Sequence, residues 1–200
     1  MTRLVVVRHG RTGYNAGHVI QGQLDVELDD VGRAQAAAVA PRLAELAPAA
    51  IVASDLRRAA DTAAPVAALS GLQVRLDKRL RERDFGQWQG LRGIEIAERY
   101  PAEYARWQAG HEVDGCGVEE LGDLAQRASE AFRDASALAP GATVLVFCHG
   151  GTAKYGTAAL LGWPARILPT LASMGNCRWV DLRHDTVRGW QLRGYNLDAS

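Results

Sequence analysis

Short apolar runs alternate along the chain with longer amphipathic stretches. Leu4-Val5-Val6-Val7, Ala50-Ile51-Val52-Ala53, Val74-Arg75-Leu76 and Thr143-Val144-Leu145-Val146-Phe147 have the length and β-branched content of strands. Residues 32–46, 56–70, 121–138 and 152–161 read as helices. The pattern is strongest over 121–138, where Leu121, Leu124, Ala128, Ala131, Phe132, Ala135 and Leu138 recur at helical spacing. Asp29 or Asp30 is expected to cap the first helix, and Ser54 or Asp55 the second. Pro41 and Pro65 fall inside helical patterns and should bend or interrupt them. Residues 177–182 and 187–192 read as a closing strand pair with its turn at His184-Asp185.

This rhythm predicts an α/β fold, a three-layer α/β/α arrangement whose mostly parallel central sheet is covered on both faces. Residues 79–120 break the rhythm. They place Trp88, Tyr100, Tyr104 and Trp107 among many charges and glycines. We expect an inserted lid over about 82–120, lying across the C-terminal edge of the strands, with a helix near 93–108. With 200 residues and no repeat or linker, the expectation is a single domain over 1–200. A chain of that size buries roughly 70% of its unfolded surface and needs no covalent staples.

Charge narrows the partners. Lys plus Arg and Asp plus Glu both number 23, which argues against a broad nucleic-acid or anionic-membrane surface. A local basic pocket is still allowed. Cys116, Cys148 and Cys177 are too few and too scattered for a disulfide framework or a zinc site. Cys148 is expected to face the core. No apolar run approaches the ~18 residues of a spanning helix. The chain enters a strand at once, so the expected compartment is the cytoplasm. Phosphate-loop and serine-elbow motifs are missing, and Gly115-Cys116-Gly117 does not follow a strand.

The chemistry lies where two strands end alike. Leu4 to Val7 runs into Arg8-His9-Gly10-Arg11-Thr12, and Thr143 to Phe147 into Cys148-His149-Gly150-Gly151. A lone histidine after a strand is more often a loop residue than a catalyst. Two such histidines at the C-terminal edge of one sheet are more informative, because ligands bind at that edge. Gly10 is expected to let backbone approach a ligand closely. Arg58, early in the helix after Ile51 to Ala53, belongs to the same edge. Arg8, His9, Arg58 and His149 cannot pack together without an anion to offset their charge. A phosphate suits arginine forks, and the helix start at Gly150-Gly151 adds N–H donors. Transfer of that phosphate without a metal needs a nucleophile, such as a neutral imidazole, and a proton donor. Glu82 is the acid best placed by sequence for that second role. By spacing alone a solvated charge run with Arg81, Arg83 and Asp84 is the better reading.

At this point the chain resembles the histidine phosphatase (phosphoglycerate-mutase-like) superfamily over nearly its whole length. The resemblance rests on Arg8-His9-Gly10-Arg11-Thr12 with Asn15, Gln21-Gly22-Gln23-Leu24-Asp25 with Leu28, Ser54-Asp55-Leu56-Arg57-Arg58-Ala59, Leu80-Arg81-Glu82 with Phe85-Gly86, and His149-Gly150-Gly151. Gln21 to Leu28, Trp88-Gln89-Gly90 and Met174-Gly175-Asn176 look most like the glucosyl-3-phosphoglycerate and broad-specificity phosphatase branch. The resemblance implies a phosphohistidine on His9, with Glu82 protonating the leaving oxygen and then activating water. It implies that Arg8, Arg58 and His149 bind the phosphoryl group, with Asn15, Gln21, Gly22 and Gly150 in the pocket. It implies no metal and no cofactor.

The implied substrate is a small phosphorylated metabolite, such as glucosyl-3-phosphoglycerate, another sugar phosphate or a phosphoglycerate. Trp88, Tyr104 and Trp107 are candidates to meet a sugar ring. Where many relatives carry Gly-Gly-Glu-Ser, this chain has Cys116-Gly117-Val118-Glu119-Glu120. Tyr14 stands where mutases of the family carry tryptophan, which favours hydrolysis. A phosphotransfer isomerase and a non-catalytic phospholigand sensor are the competing functions. The closing strand pair is the candidate edge for a homodimer.

Overall fold

Leu4 to Val7 are wholly buried, and their alternation decides the layering. Leu4 and Val6 pack with Ala131, Phe132 and Ala135 on one side of the sheet. Val5 and Val7 pack with Val39, Leu43, Ala63 and Val66 on the other. Successive strand residues point to opposite faces, so an unbroken apolar run requires cover on both. In the computed structural model, which describes residues 1–199, helices provide that cover.

The elements follow in order. β1 (Thr2–Arg8) leads to a single turn, α1 (Gly13–Ala16), then to α2 (Asp30–Ala44), β2 (Pro48–Ala53), α3 (Arg57–Ser70) and β3 (Val74–Leu76). Next come α4 (Gly93–Arg99), α5 (Pro101–Gln108), α6 (Leu121–Ala137), β4 (Thr143–Cys148) and α7 (Gly150–Leu160). β5 (Trp179–Asp185) and β6 (Gly189–Leu197) close the described chain. The six strands form one sheet in the order β3-β2-β4-β1-β5-β6. The β3-β2, β2-β4 and β4-β1 pairings are parallel, and β1-β5 and β5-β6 are antiparallel. The sheet is therefore mostly parallel, as the apolar runs predict. Among the described residues no helix is long and apolar enough to cross a membrane.

Local chemistry decides several boundaries differently from the sequence reading. Asp29 caps α2, accepting from Gly32 N at 2.7 Å. Neither Ser54 nor Asp55 caps α3. Leu56 holds the cap position, Asp55 pairs with Arg81, and Asp25 reaches across to accept from Arg57 N at 2.7 Å. Neither Pro41 nor Pro65 ends its helix. Each costs one backbone bond, and the buried faces on either side keep the helix running. The helix expected near 93–108 is two helices. Pro101 disfavours helical backbone at Tyr100, which sits at φ −135° and ψ 58°, and then starts α5 as its first residue. The last hairpin turns at residues 186–188 rather than at His184-Asp185. Asp185 Oδ1 accepts from Val187 N and Arg188 N and so initiates the turn instead of occupying it.

Trp88, Ile96 and Val113 form a small cluster of their own, apart from the two sheet cores. Phe85, Tyr104 and Trp107 pack around it. The segment that breaks the strand–helix rhythm thus carries a separate apolar centre.

Candidate active site

β1 and β4 lie side by side in parallel, with Arg8 opposite Cys148. The next residue on each strand is a histidine, so the two imidazoles leave the sheet at the same level. His9 N donates to the Cys148 carbonyl at 3.0 Å. The rings lie with centroids 5.2 Å apart and planes tilted by 59°. The sequence reading expected this convergence, and the register explains it.

His9 is held in one orientation. Its Nδ1 lies 2.7 Å from the Gly10 carbonyl, an acceptor, so Nδ1 carries the proton and Nε2 keeps its lone pair. Asn176 Nδ2 donates to the His9 carbonyl at 2.9 Å, and Gly10 N donates to Thr62 Oγ1 at 2.9 Å. Burial first, then the guanidiniums of Arg58 and Arg8, hold the His9 imidazole well below its ordinary 6.5. His149 is lowered as well, by burial, then by Arg58, His9 and Arg8. Both rings are therefore neutral near pH 7. Neither ring nitrogen of His149 has a hydrogen-bond partner among the described residues.

Two arginines converge on the pair. Arg58 is fully buried in the first turn of α3 and donates to the Gly22 and Leu24 carbonyls, each at 2.7 Å. Burial lowers its pKa to about 10, against the opposing pull of Glu82. Arg8 donates to the Met174 carbonyl and is also shifted down by burial. The Nε of each guanidinium has no hydrogen-bond partner among the described residues. These arginines fix the loop walls with some donors and direct others inward.

Glu82 is not part of a solvated charge run. Its Oε2 accepts from Gly151 N at 3.0 Å, and its Oε1 from Thr152 N at 3.1 Å and Arg83 N at 2.9 Å. The carboxylate thus occupies the N-terminus of α7, where helix N–H groups and dipole favour an anion. This corrects one expectation: the Gly151 and Thr152 N–H groups are taken by Glu82 rather than left for a ligand. Sequence reasoning also missed Arg127 on α6. It donates to the carbonyls of Arg79, Arg81 and Glu82 at 2.7, 2.6 and 3.0 Å, and to Glu119 Oε1 at 2.6 Å. A cation beside Leu124 and Ala128 on an apolar helix face was the available signal.

Gly10 has a different reason from the one expected. A Cβ there would lie 2.6 Å from the Gly32 carbonyl, so the start of α2, not a ligand, occupies the space. Asn15 lines neither of the two cavities over these groups. Its Oδ1 accepts from Thr12 N at 3.1 Å and closes the cap of α1. Gln21 accepts from Thr12 Oγ1 at 3.0 Å.

Two adjoining cavities open over these groups. The smaller, about 160 Å³, is lined by Arg8, His9, Gln21, Gly22, Arg58 and Glu82 among others. The larger, about 360 Å³, shares Arg8, Glu82, Phe85 and Trp107 with it, and adds Gly150, Gly151 and Lys154. His149 does not line the smaller cavity; it is wholly buried against His9. Of Trp88, Tyr104 and Trp107, Trp107 alone lines both cavities. Trp88 is fully buried and packs edge-on against Tyr104 and Trp107, so it supports the wall rather than facing a ligand. Cys148 faces the core, and burial raises its thiol pKa far above the ordinary range. Among the described residues no group of three or more His, Cys, Asp or Glu side chains is placed to hold a metal ion.

The chain is 42% identical to the glucosyl-3-phosphoglycerate phosphatase of Mycolicibacterium vanbaalenii, over 98% of this chain and 95% of that protein. It is 34% identical to a metal-independent phosphoserine phosphatase of Arabidopsis thaliana, over 100% of this chain and 90% of that protein. The solved structure of a mycobacterial glucosyl-3-phosphoglycerate phosphatase in complex with VO3 superposes with a TM-score of 0.90 at 39% identity, covering 99% of this chain and 100% of that one. Residues 4–198 match the histidine phosphatase superfamily (branch 1), and with the paired imidazoles in place the chain belongs to that family.

Proposed function

We propose that this chain hydrolyses small phosphomonoesters through a phosphohistidine on His9. The observation that carries the reading is the state of His9: a neutral ring, its Nδ1–H spent on Gly10, its free Nε2 in a chamber rimmed by Arg8 and Arg58. Nε2 attacks phosphorus in line, and the ester P–O bond breaks. Glu82 donates a proton to the departing alkoxide. Glu82 then takes a proton from water, the water oxygen attacks phosphorus, the P–N bond breaks and inorganic phosphate leaves. Arg8, Arg58 and the ring of His149 stabilise the charge on the transferring oxygens. Gln21, Gly22 and Gly150 complete the walls, and Asn15 contributes by holding the loop that carries His9. Each role falls to a protein group, so turnover is expected to persist in a chelator.

The named relatives narrow the substrate class. Glucosyl-3-phosphoglycerate and phosphoserine share one unit, a three-carbon acid esterified with phosphate on its terminal carbon. We assign this chain substrates containing that unit, glucosyl-3-phosphoglycerate among them. Trp107, at the junction of the two cavities, offers the face against which a sugar would rest. The segment over about 82–120 acts as the lid that carries it. Phosphate release across sugar phosphates, phosphoglycerates and nucleotides tests the class. Rapid quench of the wild type should trap acid-labile phosphohistidine, and His9→Ala should form none. Wild-type turnover by His9→Ala would overturn the mechanism.

A further inference from the structure

The larger cavity is lined by four charged side chains, and three have evident commitments. Arg8 and Glu82 also border the His9 chamber. Arg83 is nearly buried. It donates to the Glu119 carbonyl at 2.7 Å and to Glu112 Oε2 at 3.0 Å, and its guanidinium carbon lies 5.6 Å from the centre of the Phe85 ring. Its charge is spent within the protein. The fourth is Lys154. Its Nζ donates to the Leu171 carbonyl at 2.9 Å and pairs with no carboxylate among the described residues. An ammonium has three protons, so this one bond leaves donors for a ligand. Lys154 is partly buried, and desolvation lowers its pKa. That is the condition under which an anionic partner gains most.

Position gives the ligand its shape. Lys154 follows Gly150 by four residues and Gly151 by three, so all three share one face of α7. Lys154 therefore stands about 3–4.5 Å further along the helix than the Gly151 and Thr152 N–H groups that hold Glu82. The Lys154 cavity and the His9 chamber share Arg8, Glu82, Phe85 and Trp107, so a phosphoryl group at His9 and a second anion at Lys154 would lie in adjoining spaces.

We propose that Lys154 is the residue that binds the substrate carboxylate and selects phosphoesters bearing an acid group on the carbon next to the ester carbon. This rests on the hydrolase reading above and adds the residue that discriminates. The competing role is structural: Lys154 could serve only to tie α7 to the segment around Leu171.

The two roles part in a competition assay. Hydrolysis of p-nitrophenyl phosphate is measured with 3-phosphoglycerate or glycerol 3-phosphate as the competitor. The two differ in a carboxylate against a hydroxymethyl group. The wild type should bind 3-phosphoglycerate more tightly. Lys154→Met should weaken 3-phosphoglycerate about tenfold or more, the usual size of a lost charge-assisted hydrogen bond, and leave glycerol 3-phosphate unchanged. Lys154→Arg should restore much of the difference. An equal loss for both competitors, or a loss for neither, would overturn the assignment. Absence of any p-nitrophenol release by the wild type would overturn the hydrolase reading, and this assignment with it.

Discussion

Arg127 donates to the backbone carbonyl of Glu82 at 3.0 Å while its other nitrogens bind the carbonyls of Arg79 and Arg81 and the Glu119 carboxylate. One guanidinium therefore fixes the stretch that delivers the Glu82 carboxylate to α7. Arg127→Lys keeps the charge but cannot reproduce a planar fork. It should lower kcat by up to about a hundredfold through misplacement of Glu82, with KM for the same phosphoester little changed. Steady-state kinetics on a folded variant, checked by circular dichroism, tests this. A change confined to KM would show that Arg127 does not position Glu82 for the chemistry.

Glu82→Gln keeps the acceptor toward Gly151 and removes the proton that the leaving group needs. Alkyl phosphates should lose about 10²–10⁴ in kcat/KM, the range for removal of a general acid. p-Nitrophenyl phosphate should lose far less in that parameter, because its phenolate departs unprotonated. The phosphohistidine should then persist, since water activation is lost as well. Equal losses for both esters would exclude proton donation by Glu82.

The two imidazoles make stability depend on pH. Both are held below 6.5 in the folded protein, so the unfolded chain binds more protons once pH falls to that region. Stability should therefore be fully present above 6.5 and fall with decreasing pH below it. Thermal unfolding of the phosphate-free protein between about pH 7.5 and 5.5 should show Tm dropping, and His149→Gln should flatten the slope by removing one of the two groups. An unchanged slope would mean that His149 titrates as it does in the unfolded chain.

Gly32 supports the site from outside it. A Cβ there would lie 1.9 Å from the Arg11 carbonyl, backbone that cannot move without dragging the His9 loop. Gly32→Ala should cost about 1–3 kcal/mol or more of stability, the range for overpacking, and should lower activity together with it. Denaturant unfolding and phosphate release measure the two effects. A stable variant with full activity would show that the loop yields easily.

Much of this was legible in the one-dimensional pattern. Buried parallel strands need apolar residues on both faces, so Leu4 to Val7 and Val144 to Phe147 announced the sheet. An abrupt change to Arg8-His9 and His149-Gly150 marked its functional edge. Strand register alone could then place two histidines together, because parallel neighbours end at the same level. What required the folded chain were relationships between segments with no shared local pattern. The partner of Arg57 N is Asp25, the filler of the space at Gly10 is Gly32, and the anchor of Glu82 is the start of α7. Backbone propensity and hydrophobic period are properties of a few neighbouring residues, whereas a hydrogen bond satisfied across the fold depends on where distant elements come to rest. For that reason Glu82 read as one charge in a run, Lys154 went unnoticed in its helix, and only the packing of α6 and α7 against the sheet gave each its surroundings.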